Sequence, residues 1–307
     1  MNEVILHHYP ASPVSEKVRI AFGMKGVAWR SVEIPRLPPK PDVMPLTGGY
    51  RRTPIVQIGA DVYCDSQCIL PEIERRFPEP TFFPNGNKGM TLIFGRWADS
   101  MFDSAAKLLI GANADQLPPE FLQDRGRLFF GPNWNAGSLK ADVPHVVAQL
   151  RAQFFWINMQ LADKGPFFFG DKPGLADAQA YYLIWFVRAR WQGGPALLAE
   201  FPALEAWEKR VAAIGHGRPS DMTSAQAIEV ARAAEPATPE QGDSKDAQGL
   251  TPGQEVGVTP DLNSGEPTVT GTLRLIEPDR IAILRTDPRV GTVCVHFPRV
   301  GYRVTSI

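Results

Sequence analysis

A short apolar run, Val4-Ile5-Leu6, is followed within a few residues by Ser12-Pro13-Val14-Ser15-Glu16-Lys17-Val18-Arg19-Ile20. This pairing constrains the fold more than any other part of the chain, because it sets a buried strand directly before a helix with a well-marked start. Ser12 suits the N-cap, where its side-chain oxygen accepts a backbone N–H that the first turn leaves without an intrahelical partner. Pro13 suits the first helical position, where its missing N–H would have had no partner anyway. Val18, Ile20, Ala21 and Phe22 supply a mainly buried face. A helix starting at the mouth of a strand directs its partial positive charge there, and anions are stabilised at such a point. A Ser-Pro start is also a common structural cap, so the run alone leaves both readings open.

Residues 27–34 (Val27, Ala28, Trp29, Val32, Ile34) read as a second strand and Thr53-Pro54-Ile55-Val56-Gln57-Ile58 as a third. Proline cannot donate to a ladder and belongs at a strand's first residue or at an edge. A cis bond at Pro54 would leave the Thr53 backbone able to pair with an extended segment lying alongside. Gly59-Ala60-Asp61 turns into Val62-Tyr63-Cys64, and Asp65-Ser66 opens a helix running toward Phe77-Pro78. Strand, helix, strand, long loop, hairpin and helix is the pattern of a small mixed α/β sheet with helices packed on it.

From about residue 88 to 218 the spacing turns helical. Leu92, Ile93, Trp97, Met101 and Leu108 recur at helical intervals, as do Val143, Val147, Leu150, Phe154, Ile157 and Leu161. Ala176 to Val187 is apolar nearly all round, as a helix at the centre of a bundle should be. Residues 111–142, rich in Gly, Pro and Asn, read as a loop insertion whose Phe121, Phe129, Phe130 and Trp134 either pin it to the core or line a site. A short helix is expected at about Thr223 to Ala234, then a flexible linker over 235–248. Short β-rich runs at Glu255 to Val258, Thr268 to Ile276, Arg280 to Thr286 and Thr292 to Phe297 make residues 249–307 a small all-β module, a five-stranded barrel or rolled sheet.

The chain has 307 residues, more than one typical domain holds. With 32 basic and 33 acidic side chains its net charge is −1, so no global field recruits nucleic acid or an anionic membrane. The β-rich tail is itself neutral, with six arginines and six acidic residues from 250 to 307, and a nucleic-acid role has little support there. Met1-Asn2-Glu3 lacks a basic leader, and nothing approaches the ~20 apolar residues of a membrane span; a cytoplasmic location is expected. Cys64, Cys68 and Cys294 make no disulfide framework and no metal site is expected of them; they read as small buried hydrophobes. His7 and His8 end the first strand, where solvated or capped histidines are the rule.

Ser-Pro-x-x-x-Lys-Val-Arg-Ile from Ser12, Thr53-Pro54-Ile55-Val56, and Asp65-Ser66 at a helix start resemble the glutathione-binding domain of the soluble glutathione transferases. Phe169-Gly170-Asp171-Lys172-Pro173-Gly174-Leu175-Ala176-Asp177 resembles the fold-nucleating segment of that family's helical domain, and Phe201-Pro202-Ala203-Leu204-Glu205-Ala206-Trp207 its late Pro-x-x-x-x-Trp element. The resemblance covers residues 1 to about 218. It implies a thioredoxin-like glutathione-binding domain over 1–84 and an all-α helical domain over 88–234, followed by the linker and the β module, which lies outside the family pattern. Two departures stand out: Gly174 replaces the usual Ser or Thr of a reciprocal helix cap, and Pro71 falls early in the helix opened by Ser66, where it is expected in the first turn or at a distortion.

What the resemblance implies chemically is a protein that binds glutathione as co-substrate and activates its thiol toward a small hydrophobic electrophile. Ser12 would donate to the thiolate, with Ser15 as its rival. Thr53, set by Pro54, would pair through its backbone with the cysteinyl part. Ser66 and its helix start would hold the glutamyl carboxylate, and Asp65 the amino group. Arg52, with Arg51 or Lys40 as substitutes, would meet the glycyl carboxylate. Trp97, Met101 and Phe102 are offered for the electrophile pocket, expected between the domains. The family pairing implies a homodimer. Because every matching motif lies before residue 80, residues 250–307 are expected to be dispensable for glutathione binding. The alternatives are a binding protein of this fold without turnover, using the β module as its contact surface, and a glutathione-dependent lyase or reductase.

Overall fold

A computed structural model of the chain describes residues 3–261 and 265–307. Along it run β1 (Val4–His8), α1 (Pro13–Lys25), β2 (Ala28–Glu33), α2 (Met44–Thr47), β3 (Ile55–Ile58), β4 (Asp61–Cys64), α3 (Ser66–Arg76), α4 (Lys88–Ala112), α5 (Pro119–Phe130), α6 (Ala136–Ala141), α7 (Val143–Lys164), α8 (Leu175–Arg190), α9 (Gly194–Leu198) and α10 (Pro202–Ala212). They are followed by β5 (Arg218–Asp221), α11 (Ser224–Arg232), β6 (Glu255–Pro260), β7 (Val269–Ile276), β8 (Arg280–Asp287), β9 (Gly291–Pro298) and β10 (Tyr302–Ser306). The chain forms two compact units, one made of Met1–Ser15, Ala28–Arg75 and Arg218–Ile307, the other of Glu16–Val27 and Arg76–Gly217.

The first unit is built on β1, whose five residues are all buried. A strand covered on both faces reads as an unbroken apolar run rather than an alternating one, which is what Val4-Ile5-Leu6 is. It pairs parallel with β2 and antiparallel with β3, and β3 pairs antiparallel with β4, the thioredoxin-like arrangement. Among the described residues the sheet does not stop there. Its order is β10-β6-β7-β8-β9-β4-β3-β1-β2-β5.

The C-terminal strands are therefore an extension of the N-terminal sheet. The five expected strands are present as β6 to β10, side by side in the order β10-β6-β7-β8-β9, and β9 lies parallel to β4, with Asp61 opposite Cys294 and Tyr63 opposite His296. This inner position explains why the last six residues of β9 are all buried. One apolar core joins Ile5, Val32, Ile55 and Val62 to Val256, Leu273, Ile283, Val295 and Phe297. At the other edge β5 lies parallel to β2, and α11 packs on β2 and β9. Residues 218–234 thus belong with the sheet and not with the helical domain expected to run to 234. The sequence hid β5 because all four of its residues are exposed and one is Pro219, tolerated only at a sheet edge.

The tract 235–248 is pinned down rather than free. Ala237 N–H and the Thr238 hydroxyl both donate to Asp61 on β4, the Gln241 N–H donates to the Arg274 carbonyl, and the Ile276 N–H donates to the Gln241 carbonyl. Asp246 accepts from Arg299 at 2.8 Å.

The second unit is helical, with α4 packed on α6, α7 and α8, and α10 on α7 and α8. Its anchor is Asp177, in the first turn of α8, which accepts from Gly174 N–H at 2.9 Å, Phe168 N–H at 3.1 Å and Trp207 Nε1–H at 2.7 Å. Gly174 also has a steric reason: a Cβ there would lie 2.8 Å from Pro84 Cδ and 2.9 Å from the Phe82 carbonyl oxygen. The expected loop over 111–142 contains α5 and α6 instead. Asn135 caps α6 by accepting from Ser138 N–H, and Phe129 packs edge-on against Phe102, so this aromatic pins the segment to the core.

Candidate functional site

Ser12 stands at the N-terminus of α1, its own N–H held by the Tyr9 carbonyl at 3.0 Å. Its Oγ accepts the Ser15 N–H at 3.2 Å and the Ser15 hydroxyl at 2.9 Å. Ser15 is fully buried and turned onto Ser12, not out to solvent. A hydroxyl carries one proton and two lone pairs. With both bonds accepted from Ser15, the Ser12 proton remains for a further acceptor.

The Thr53–Pro54 bond is cis, and β3 starts at the next residue. Among the described residues the Thr53 backbone takes no turn or loop partner. Lys40 is buried, its Nζ donating to the Arg51 carbonyl at 3.0 Å and to Thr53 Oγ1 at 2.9 Å. Lys40, Arg51 and Thr53 are thus brought together, with Lys40 spent on holding the loop.

Asp65 adopts φ 73°, in the left-handed region that non-glycine residues reach only when their surroundings hold them there. Its carbonyl accepts from Cys68 and Ile69 N–H, and its Oδ1 from Gln67 N–H at 2.9 Å, so Asp65 caps α3. Ser66 follows as the first helical residue and is buried. Pro71 lies in the second turn of this helix, past the first turn, which is one of the two places expected for it.

Two residues from the C-terminal part of the chain reach this region, one on β10 and one in the connection between β6 and β7. Tyr302, on β10, donates its hydroxyl to Asp65 Oδ2 at 3.0 Å, and its oxygen lies within hydrogen-bond distance of the Tyr50 hydroxyl at 3.2 Å. Burial, reinforced by the Asp65 charge, pushes both phenols well above their usual range, so they stay protonated. Arg52 donates from Nε at 2.7 Å and from Nη2 at 2.5 Å to Glu266, whose side chain is 4% exposed. Burial opposes the Arg52 charge, but Glu266 outweighs it and holds the guanidinium firmly protonated. Pro267 lies against Gly49, and a Cβ at Gly48 would lie 2.6 Å from Arg285 Nε. Arg289 donates to the Pro41 carbonyl and to Asp42. Residues after 250, expected to be dispensable for glutathione binding, thus touch Asp65 and Arg52, two of the expected binding residues. No spacing in the sequence links Glu266 or Tyr302 to partners more than two hundred positions earlier.

Other groups singled out by sequence have structural surroundings. His7 and His8 are buried rather than solvated; His7 Nε2 pairs with Gln57 Oε1 and His8 Nε2 with Ser31 Oγ, each at 2.9 Å. The three cysteines are free and buried, and burial pushes Cys294 up to about 12. Asp61, Cys294 and His296 cluster tightly, but both Asp61 oxygens already accept from Ala237 and Thr238, the arrangement of a clasp closing the 235–238 tract onto β4 and β9. Met101 is fully buried in the core of its unit, and Phe102 packs on Phe129 and Tyr182, while Trp97 is half-buried against Phe94.

Residues 6–81 match the model of the glutathione S-transferase N-terminal domain, and residues 122–210 that of the C-terminal domain. "Glutathione S-transferase U4" of Arabidopsis thaliana is 24% identical over 216 residues, 68% of this chain and 84% of that protein. The crystal structure of a "GST-like protein" from Pseudomonas syringae is 35% identical, with a TM-score of 0.78 and complete coverage of both chains. A rice glutathione transferase solved in complex with glutathione is 18% identical, with a TM-score of 0.52, over 71% of this chain and 91% of that one. The matches to the two domain models in their family order, on a thioredoxin-like sheet followed by a helical unit, mean that this chain belongs to the soluble glutathione transferase superfamily.

Proposed function

We propose that this protein binds a glutathione-type thiol and activates it for attack on a small hydrophobic electrophile. The observation that carries the reading is Ser12 at the N-terminus of α1, with Ser15 donating into it so that its own proton is left for another acceptor. A free thiol ionises near pH 8.5; a hydroxyl donor and a helix N-terminus both favour its anion. The thiol loses its proton to solvent, the sulfur lone pair forms a C–S bond, and the electrophile's leaving group departs with its electron pair. Thr53 pairs through its backbone with the cysteinyl part, while Ser66 and the start of α3 receive the amino-acid carboxylate and Asp65 the amino group. A disulfide reductase is disfavoured, since a serine hydroxyl cannot form the mixed disulfide.

The protein is proposed to act as a cytoplasmic homodimer. A near-neutral net charge does not oppose association, and the apolar side chains of Met90 and Ile93 on α4 are exposed. Sedimentation as a monomer at micromolar concentration would contradict this.

Ser12→Ala tests the chemistry. Thiol-peptide affinity should stay within several-fold of wild type, while conjugation of a generic electrophile falls about tenfold to a thousandfold, since a charge-assisted hydrogen bond contributes ~1.5–3 kcal/mol. The ultraviolet absorbance of the bound thiolate should titrate at a higher pH in the variant. Identical titrations would reduce Ser12 to a helix cap.

A further inference from the structure

The connection between β6 and β7 brings a carboxylate, Glu266, to the residue that the family resemblance assigns to the ligand's own carboxylate. Arg52 was expected to meet the glycyl end of glutathione, yet both of its described hydrogen bonds run to Oε2 of Glu266. The pair is largely desolvated, with side-chain exposures of 23% for Arg52 and 4% for Glu266. Glu266 is also held in place: Pro267 packs against Gly49, and Val269 begins β7 opposite Val258. A carboxylate arriving from solution would have to displace a tethered one and leave Glu266 buried without its partner charge, which is strongly unfavourable. Of the two substitutes, Lys40 is drawn onto the Arg51 carbonyl and Thr53 Oγ1, and Arg51 remains as the other cation beside the site.

The other end is built differently. Asp65 is fixed by Gln67 N–H on one oxygen and by Tyr302 on the other, and Ser66 opens the eleven residues of α3. An ionised carboxylate has about four lone-pair sites, so Asp65 retains capacity to receive an ammonium group. One end of the region is pre-organised for an amino acid; the other carries the chain's own negative charge.

We propose that Glu266 occupies the place of the ligand's second carboxylate, so that the site takes a thiol with an α-amino-acid end and no glycyl carboxylate, such as a γ-glutamyl dipeptide thiol. This rests on the thiol-binding reading above. Glu266 is then a specificity-determining residue: it lowers the standing of glutathione relative to the dipeptide by repelling and replacing its terminal carboxylate.

The test is calorimetric titration of the full chain with reduced glutathione, with γ-glutamylcysteine, and with glutathione whose glycyl carboxylate is a neutral ethyl ester. The dipeptide and the ester should each bind at least as tightly as glutathione. In Glu266→Gln the affinity ratio should move about tenfold toward glutathione. Glutathione binding tenfold or more tighter than the dipeptide and the ester in the wild type would overturn the proposal, and needs no variant. An unmoved ratio in a folded Glu266→Gln protein would also overturn it and leave the Arg52–Glu266 pair as a structural strut. If none of the three binds, the thiol-binding reading itself fails and this proposal with it; if all bind with glutathione preferred, only this proposal fails.

Discussion

The Tyr302 hydroxyl donates to the Asp65 carboxylate at 3.0 Å, joining the last strand of the chain to the cap of α3. Asp65 holds a left-handed backbone conformation at that cap, so a contact that orients its side chain also supports an unusual turn.

Tyr302→Phe deletes this bond and the one to Tyr50 while keeping the ring. Hydrogen bonds to charged groups contribute about 1.5–3 kcal/mol, and the denaturant midpoint should fall accordingly. Affinity for the thiol peptide should weaken about three- to tenfold as Asp65 loses its orientation. Lower stability with unchanged affinity would make Tyr302 a purely structural residue.

Truncation at Glu240 should leave the first unit unfolded, because it strips Val256, Leu273, Ile283, Val295 and Phe297 from the shared core. Each such side chain contributes about 1.5–3 kcal/mol, against about 5–15 kcal/mol of total stability. It also uncovers the β4 edge that β9 pairs with. Cooperative melting of a folded first unit in the truncated chain, followed by circular dichroism, would refute this.

His7 gives a pH signature. Burial lowers it from the usual 6.5 to about 4, against a smaller upward pull from Gln57. The unfolded chain therefore takes up a proton at a higher pH than the folded one, so stability is full above about 6.5 and falls as pH drops from there toward 4. The loss reaches about 3 kcal/mol. His296 is shifted in the same direction by burial. In His7→Gln, urea midpoints measured between pH 7 and 5 should change less than in wild type; an equal slope would remove His7 as a cause.

Asp177→Asn replaces an acceptor with a donor where Gly174, Phe168 and Trp207 all donate. At least one buried N–H then loses its partner, at ~1–3 kcal/mol. Burial raises Asp177 to about 6, so the carboxylate is ionised at neutral pH and some charge burial is relieved by the change. A net loss of thermal stability is expected at pH 7.5. A raised melting temperature would show that the buried charge, and not the three bonds, dominates.

Much of the candidate site was legible because its signals are local. A serine before a proline at a helix start, a proline at a strand's first residue and an Asp-Ser pair opening a helix each fix geometry through neighbouring backbone groups, and Ser12, Thr53, Pro54, Asp65 and Ser66 lie where those signals put them. Ser15, the rival for the thiolate, donates to Ser12 instead, a pairing one turn apart that the sequence spacing left open.

The sequence by itself determined the α/β-then-helical order, the family and the β-rich character of the C-terminal residues, with four of their five strands located, since apolar spacing, caps and turn residues act over a few positions. Only the tertiary structure decided that those strands extend the N-terminal sheet through β4 and β9, that residues 218–221 add an edge strand, and that Glu266 and Tyr302 engage Arg52 and Asp65. Strand pairing uses backbone groups that every residue type carries, and an ion pair across more than two hundred positions leaves no periodicity. What joins them is the burial of one shared apolar core, a property of the folded chain and not of any segment of it.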